Sequence, residues 1–178
     1  DKDFENCNGW IGTVTGEKLK VLKGTNFALF TVEMGIGSMM GPRWNPAEDE
    51  ISVVLQGRGM LSLLCSDISV VGSENCRNRR LEVEEGDVFL IPKFHTVAQT
   101  SFNNDTLVFM GFTSYGHRRR LLKGPVAVLR RLDADVLATA LDVSSETAEK
   151  LVAAKDGDSP LVACVSCAEE EWETMQGE

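Results

Sequence analysis

The chain has 178 residues, 43% of them hydrophobic and 25% charged, with a formal net charge of -9. That length holds one domain with a well-filled core, or one domain with an appended arm. The negative balance argues against a nucleic-acid partner or an anionic membrane surface, because phosphate binding needs a concentrated positive field. No stretch approaches the ~20 consecutive apolar residues of a membrane span, and the opening DKDFENCNGW carries neither the charged nor the apolar region of a signal peptide. An Asp at position 1, without an initiator Met, predicts a processed piece of a longer precursor.

Residues 1–17 are polar and glycine-containing, with Trp10 and Ile11 as anchors, and read as a lead-in that packs through a few side chains. From Lys18 the pattern changes to short apolar runs: KLKVLK, NFALFTVEM, EISVVLQ, GMLSLLC, DISVV, RRLEVEE, DVFLIP, HTVAQTS and DTLVFMGFT. Each reads as a strand, and Gly24-Thr25-Asn26, Gly57-Arg58-Gly59, Glu85-Gly86-Asp87 and Asn103-Asn104-Asp105 read as the turns between them. So many short strands at close spacing predict an all-β barrel or jelly roll over residues 18–123.

After Lys123 the period changes. Val136, Leu137, Ala140 and Leu141, then Ala148, Leu151 and Val152, fall at helical spacing. Asp133 is the candidate N-cap of a first helix and Ser144 or Ser145 that of a second, while Lys155 and Gly157 mark the end. Residues 124–158 are therefore expected to form a small helical arm whose apolar stripe is covered by the barrel or by a neighbouring subunit. Residues 159–178 form a C-terminal extension: SPLVACVSCA offers one more extended piece, and EEEWETMQGE is expected to fray. The basic runs Arg77, Arg79, Arg80 and Arg118, Arg119, Arg120, Lys123 read as exposed loops, with His117 a solvated loop residue.

Two spacings carry the chemistry. In GSMMGPRWNPAEDEISVVLQG, Gly37, Arg43, Asn45, Glu50 and Gly57 stand as G-x5-R-x-N-x4-E-x6-G. Residues at i and i+2 share one face of a strand, and a carboxylate on the next strand reaches the same point inside a small barrel. The frame resembles the first motif of the cupins, in which the positions of Arg43 and Asn45 are histidines and Glu50 is the third metal ligand. The second motif is similar to GDVFLIPKFHTVAQTS, with Gly86 and Pro92 in register. There Phe94 replaces the inner glycine, Val97 the histidine and Ser101 the final asparagine. His95 lies two places early, an offset that keeps the strand face, so that a bulge or local shift could aim it inward. Arg43 would bring a permanent positive charge into the former metal space, and Asn45 only a weak oxygen ligand.

Five cysteines leave an odd one. Cys65 and Cys76 flank an insertion that a disulfide would clip, worth about 2–4 kcal/mol if unstrained. Cys164 and Cys167 form a C-x2-C without the second Cys/His pair that a zinc site requires, and Cys7 lies near the start. The order of readings is structural disulfide or buried thiol, then redox, then zinc. The sequon Asn104-Asp105-Thr106 makes Asn104 a candidate glycosylation site and fits a secretory route.

Both degenerate motifs, then LRRLDADVLATALDVSSETAEKLV and the closing SCAEEE, resemble the C-terminal cupin half of plant vicilin-like seed globulins over nearly the whole chain after about Trp10. The resemblance implies a cupin double-stranded β-helix, or jelly-roll barrel, followed by a helical arm. It further implies a bicupin precursor with an N-terminal cupin half beside this one, a homotrimer joined through the arms, a secretory route to the protein storage vacuole, proteolytic nicking and allergen-like kinship. The leading expectation is therefore a non-catalytic nutrient reservoir with no cofactor. Only 3 Gln and 8 Asn stand against 10 Arg, so a binding or defence role stays open. One alternative is a small carboxylate held in the barrel by Arg43, Asn45, Glu50 and His95. The other is a metal such as copper on His95 and Cys65, since related proteins bind copper through a rearranged Cys/His set.

Overall fold

The computed structural model describes residues 2–64, 78–113, 120–121, 132–153 and 159–163. Among these, eleven strands form one continuous sheet that folds over on itself. In chain order they are β1 (Lys2–Asn6), β2 (Gly9–Val14), β3 (Ala28–Met34), β4 (Ser38–Trp44), β5 (Glu50–Leu64), β6 (Arg79–Glu84), β7 (Val88–Ile91), β8 (Thr96–Ser101), β9 (Leu107–Thr113), β10 (Arg120–Leu121) and β11 (Leu161–Ala163). The long strand β5 belongs to two layers. Its first half lies between β7 and β9, beyond which come β3, β2 and β1; its second half lies between β6 and β8, beyond which comes β4 with β10 and β11. Every pairing is antiparallel, as short connections require.

Gly57-Arg58-Gly59 reads as a turn in the sequence, and the structure corrects this: β5 runs through it and changes layer there. The ladder to β9 slips between Val54 and Gln56, and Gly57 takes φ +79, a conformation that a side chain resists. A Cβ on Gly57 would stand 1.8 Å from the Thr106 carbonyl oxygen, and one on Gly59 would stand 2.4 Å from that of Thr100. The glycines let β5 pass against Thr100 of β8 and Thr106 of the β8–β9 connection, so two expected strands become one bent strand.

The lead-in over residues 1–17 is also corrected. Residues 9–14 pair along β3 in a full ladder, and β1 adds an outer strand, so this segment is part of the sheet. Trp10 donates its indole N–H to Glu33 of β3 at 2.8 Å. KLKVLK, expected as a strand, is a single 3-10 turn at Lys20–Leu22 because it has no buried position to alternate against. Arg79 and Arg80 lie on β6 and are exposed there, and Arg120 lies in β10 alongside β4, where exposed loops were expected. DISVV, His117, Lys155, Gly157 and the cysteines other than Cys7 lie outside the described residues; Cys7 is an exposed thiol in the turn between β1 and β2.

The core draws on both layers: Phe30, Val32 and Met34 of β3, Met40 of β4, Val54 and Leu61 of β5, Val97 of β8, Leu107 and Phe109 of β9, and Leu161 of β11. Phe109 takes Phe30 and Phe89 edge-on, with centroids at 6.4 and 5.7 Å. Each such fully buried side chain stabilises the fold by about 1.5–3 kcal/mol.

Two helices, α1 (Ala134–Leu141) and α2 (Ser145–Ala153), pack on each other through Leu137, Ala138 and Ala148. Asp133 is at the N-cap of α1, without a side-chain capping bond, and Asp142 ends that helix in the left-handed region. At α2 the structure selects Ser144, whose hydroxyl accepts the Thr147 N–H at 3.2 Å. Val136, Leu141 and Leu151 remain exposed on the arm.

Candidate functional site

The two motifs meet inside the barrel where the register puts them. β4 bulges between Met40 and Arg43, and this directs Arg43 to the interior opposite Val97 of β8. The connection after β4 folds back through Asn45-Pro46, so that Glu50, at the start of β5, comes within reach. One guanidinium nitrogen of Arg43 (Nη2) donates to Glu50 Oε1 at 2.6 Å, and the two side chains are 2% and 3% exposed. A charge pair this deep is held because neither partner could be buried alone.

The connection itself is held by four hydrogen bonds. Asn45 Oδ1 accepts the Ala47 N–H at 2.9 Å, which shapes the turn, and the Asn45 carbonyl accepts the Phe94 N–H at 2.8 Å. Asp49 accepts the Lys93 N–H at 2.8 Å. Glu48, also buried, accepts the hydroxyl of Thr113 at the end of β9. Asn45 thus spends its oxygen on the chain's own backbone.

His95 lies in the turn before β8, half-buried, with Nδ1 3.2 Å from the Lys93 carbonyl oxygen. The residue before it explains the local geometry. Phe94 has φ 66, in the left-handed region where the cupin motif has glycine. The backbone shape of the motif has outlived its residue, and Phe94 is nearly half exposed with Lys93 Nζ 5.9 Å from its ring. Asn104 is exposed in the turn between β8 and β9, where Arg58 reaches Asp105 at 3.5 Å.

Sequence reasoning passed over seven buried polar residues among those described, including Thr13, Ser38 and Thr100. Ser52 and Gln99 are 0% and 1% exposed, and neither the Ser52 hydroxyl nor either end of the Gln99 amide has a hydrogen-bond partner among the described residues. Glu48 and Thr113 complete the set. The period of two would have found Ser52 from Glu50, and Gln99 from Val97. No group of three or more His, Cys, Asp or Glu side chains placed to hold a metal occurs among the described residues.

A folded-over antiparallel sheet with degenerate ligand positions at 43, 45, 50 and 97 defines the class as a double-stranded β-helix barrel. The sequence profile of the cupins matches residues 1–149, and the chain belongs to that family. It is 46% identical over 180 residues to a vicilin-like seed storage protein of Arabidopsis thaliana, a match covering all of this chain and 34% of the relative. A second such Arabidopsis protein is 42% identical over 184 residues, covering all of this chain and 25% of the relative. The chain thus spans about a third or less of those relatives. Among solved structures, hazelnut (Corylus avellana) vicilin superposes with a TM-score of 0.75 at 23% identity, over 91% of this chain and 45% of that one. The vicilin of Solanum melongena, whose structure revealed different anionic ligands in structurally similar pockets, superposes with a TM-score of 0.73 at 20% identity, over 91% and 43%. These likenesses agree with the barrel and arm expected from the motifs.

Proposed function

We propose that the chain is one barrel of a vicilin-like seed storage globulin, a nutrient reservoir whose task is to fold durably, pack densely and be digested later. The observation that carries this reading is the buried Arg43–Glu50 pair. Where an active cupin presents imidazoles to a metal, this chain presents a guanidinium already closed on the remaining carboxylate, so the position is occupied by the protein's own side chains. The arm supports assembly as a homotrimer, because α1 and α2 leave Val136, Leu141 and Leu151 uncovered. The short span against its relatives supports a bicupin precursor with an N-terminal cupin half. A secretory route to the seed storage vacuole follows from the same kinship, with Asn104 exposed as a glycan acceptor. No resident cofactor and no catalytic activity belong to this reading.

Immunoblotting across seed filling and germination tests it: the protein should accumulate as a major component and disappear as the seedling feeds. A constant trace level would overturn the reading, as would one tightly held copper ion per chain, on His95 and Cys65 or elsewhere, in protein purified without added metal.

A second reading is favoured by the amide of Gln99, which has no hydrogen-bond partner among the described residues and lies two places along β8 from the Val97 that faces Arg43: a small carboxylate held in the barrel, the Solanum melongena vicilin having different anionic ligands in structurally similar pockets. Calorimetry with small carboxylates such as acetate, lactate and succinate tests it. Saturable heat that vanishes in Gln99→Leu supports the reading, and no heat across the panel ends it.

A further inference from the structure

The connection between β2 and β3 carries positive charge left unanswered among the described residues. It runs from Thr15 to Phe27, and no residue from Gly16 to Phe27 is buried. The loop is nevertheless firmly built. Leu19 donates its N–H to the Thr15 carbonyl at 2.9 Å, Leu22 to that of Leu19 at 2.9 Å and Thr25 to that of Leu22 at 3.0 Å, while the Thr25 hydroxyl closes on the same Leu22 oxygen at 2.7 Å. Gly16 backs this turn. A Cβ there would stand 2.8 Å from the Leu22 carbonyl oxygen, so the chain passes behind residues 22 and 23 only as glycine. The result is a cleft of about 570 Å3 with Glu17, Lys20, Leu22, Lys23 and Thr25 among its walls. Clefts for small molecules hold roughly 300–1,000 Å3.

Lys20 opens the 3-10 turn and Lys23 caps it, and positions three apart on such a turn eclipse one another, which sets both side chains on one wall. Neither ammonium has an ion-pair or hydrogen-bond partner among the described residues. Lys18, by contrast, is engaged: its Nζ reaches Asp3 at 3.5 Å and the Thr13 carbonyl oxygen at 3.1 Å. Glu17 lies in the same cleft, and its carboxylate pairs with neither Lys20 nor Lys23. Two ammonium groups held side by side repel one another, and a guest anion removes that cost.

We propose that this cleft binds an organic phosphate that also carries hydroxyl groups, with the phosphate between Lys20 and Lys23 and a hydroxyl donating to Glu17. The chemistry of the walls selects the class. Two ammonium groups on one wall suit a dianion, whereas a carboxylate nearby repels a second anionic group and accepts a hydrogen bond from a hydroxyl. Phosphate alone would fill a small part of the cleft and would meet the charge of Glu17 without compensation. The net charge of -9 opposes a long polyanion, but a single phosphate feels chiefly the charges within a Debye length of about 8–10 Å.

Calorimetry of the intact protein at low ionic strength, with glucose 6-phosphate, inorganic phosphate and glucose, tests this. Glucose 6-phosphate should give saturable heat, phosphate should bind about tenfold more weakly, and glucose should give none. Lys20→Ala and Lys23→Ala should each raise the dissociation constant of glucose 6-phosphate about tenfold, while Lys150→Ala, an exposed cation on α2, should leave it unchanged. Glu17→Gln should tighten phosphate and weaken glucose 6-phosphate, so that the gap between them closes. Equal melting temperatures keep a loss of binding apart from a loss of fold. Absence of saturable heat with glucose 6-phosphate would overturn the proposal, as would an affinity untouched by Lys20→Ala and Lys23→Ala together. Equal affinity for phosphate and glucose 6-phosphate in the unaltered protein would overturn the hydroxyl contact to Glu17.

Discussion

Arg43 and the outer face of the β7–β5–β9 sheet are opposites. Arg43 is a charge in the middle of a barrel, closed on Glu50 and cut off from water; the outer face is a run of Ile, Val, Leu, Met and Phe left bare toward it. In a catalytic barrel the interior meets the substrate and the exterior is solvated. Here the interior has been closed by the chain's own side chains, and the surface with energy left to gain lies outside. The difference teaches that a barrel can keep the frame of a metal site, down to the left-handed backbone at position 94, while its uncovered apolar surface lies on the outside.

The comparison breaks most sharply at the pair. Glu50→Gln keeps the shape of the side chain and removes its charge, leaving the Arg43 guanidinium in a low-dielectric interior, and should lower stability by about 3–5 kcal/mol. The shift of the urea unfolding midpoint measures it. Arg43→Met together with Glu50→Leu should recover most of that loss, since two matched apolar groups need no pairing. A single-variant cost below about 1 kcal/mol would mean that the guanidinium is held by other acids, Glu48 first among them.

Interior packing comes next. At Gly111 of β9 an added Cβ would stand 1.9 Å from Phe30 Cζ and 2.5 Å from Ser52 Oγ. Gly111→Ala should therefore destabilise by about 1–3 kcal/mol, because Phe30 must leave its edge-on contact with Phe109. Gly41→Ala is the control: its nearest neighbour, the Pro160 carbonyl oxygen, is 3.8 Å away, and the unfolding midpoint should not fall.

How far these features are legible in the sequence differs by cause. The barrel strands at 28–34, 88–91 and 107–113 follow from runs of apolar residues between turn residues, and Arg43 and Glu50 follow from their spacing between Gly37 and Gly57. The strand over residues 9–14 was not legible, because Gly, Trp and Thr give no apolar–polar alternation until β3 is beside them. Nor was the layer change in β5, since Gly-Arg-Gly signals a hairpin unless Thr106 and Thr100 are known to pass within contact distance. Ser52 and Gln99 were hidden by chemistry: read singly they belong on a surface, and only the strand register turns them inward. The outer face was in plain view as ISVVL, VFLI and LVFMGF, but an unbroken apolar run does not say which side of a sheet lacks its cover.

The mouth of the barrel offers a stabilising change. Phe94 holds φ 66 with a bulky side chain that is half exposed, so little packing is lost when the ring is removed. Phe94→Gly should raise stability by about 1 kcal/mol, as the left-handed conformation no longer opposes a Cβ. Thermal unfolding followed by circular dichroism would show the rise in Tm. A fall instead would mean that the Lys93 contact over the ring contributes more than the backbone relief.

The smallest effect on folding of the separated chain is expected on the outer face. Ile51→Thr keeps a β-branched side chain on β5, so strand propensity is preserved and only apolar area is lost. In the chain folded by itself the unfolding free energy should move by no more than about 0.5 kcal/mol, because residue 51 faces solvent in that state. The interior counterpart Val54→Thr, three residues further along the same strand, places a hydroxyl at a site 1% exposed and should lose about 1–3 kcal/mol. In the native protein any cost of Ile51→Thr beyond that in the separated chain, read as the difference between the two unfolding midpoints, measures what covers the outer face, while its effect on folding of the chain alone stays small. An equal loss at 51 and 54 in the separated chain would show that the outer face is already covered from within, and the two faces of β5 would then be one core.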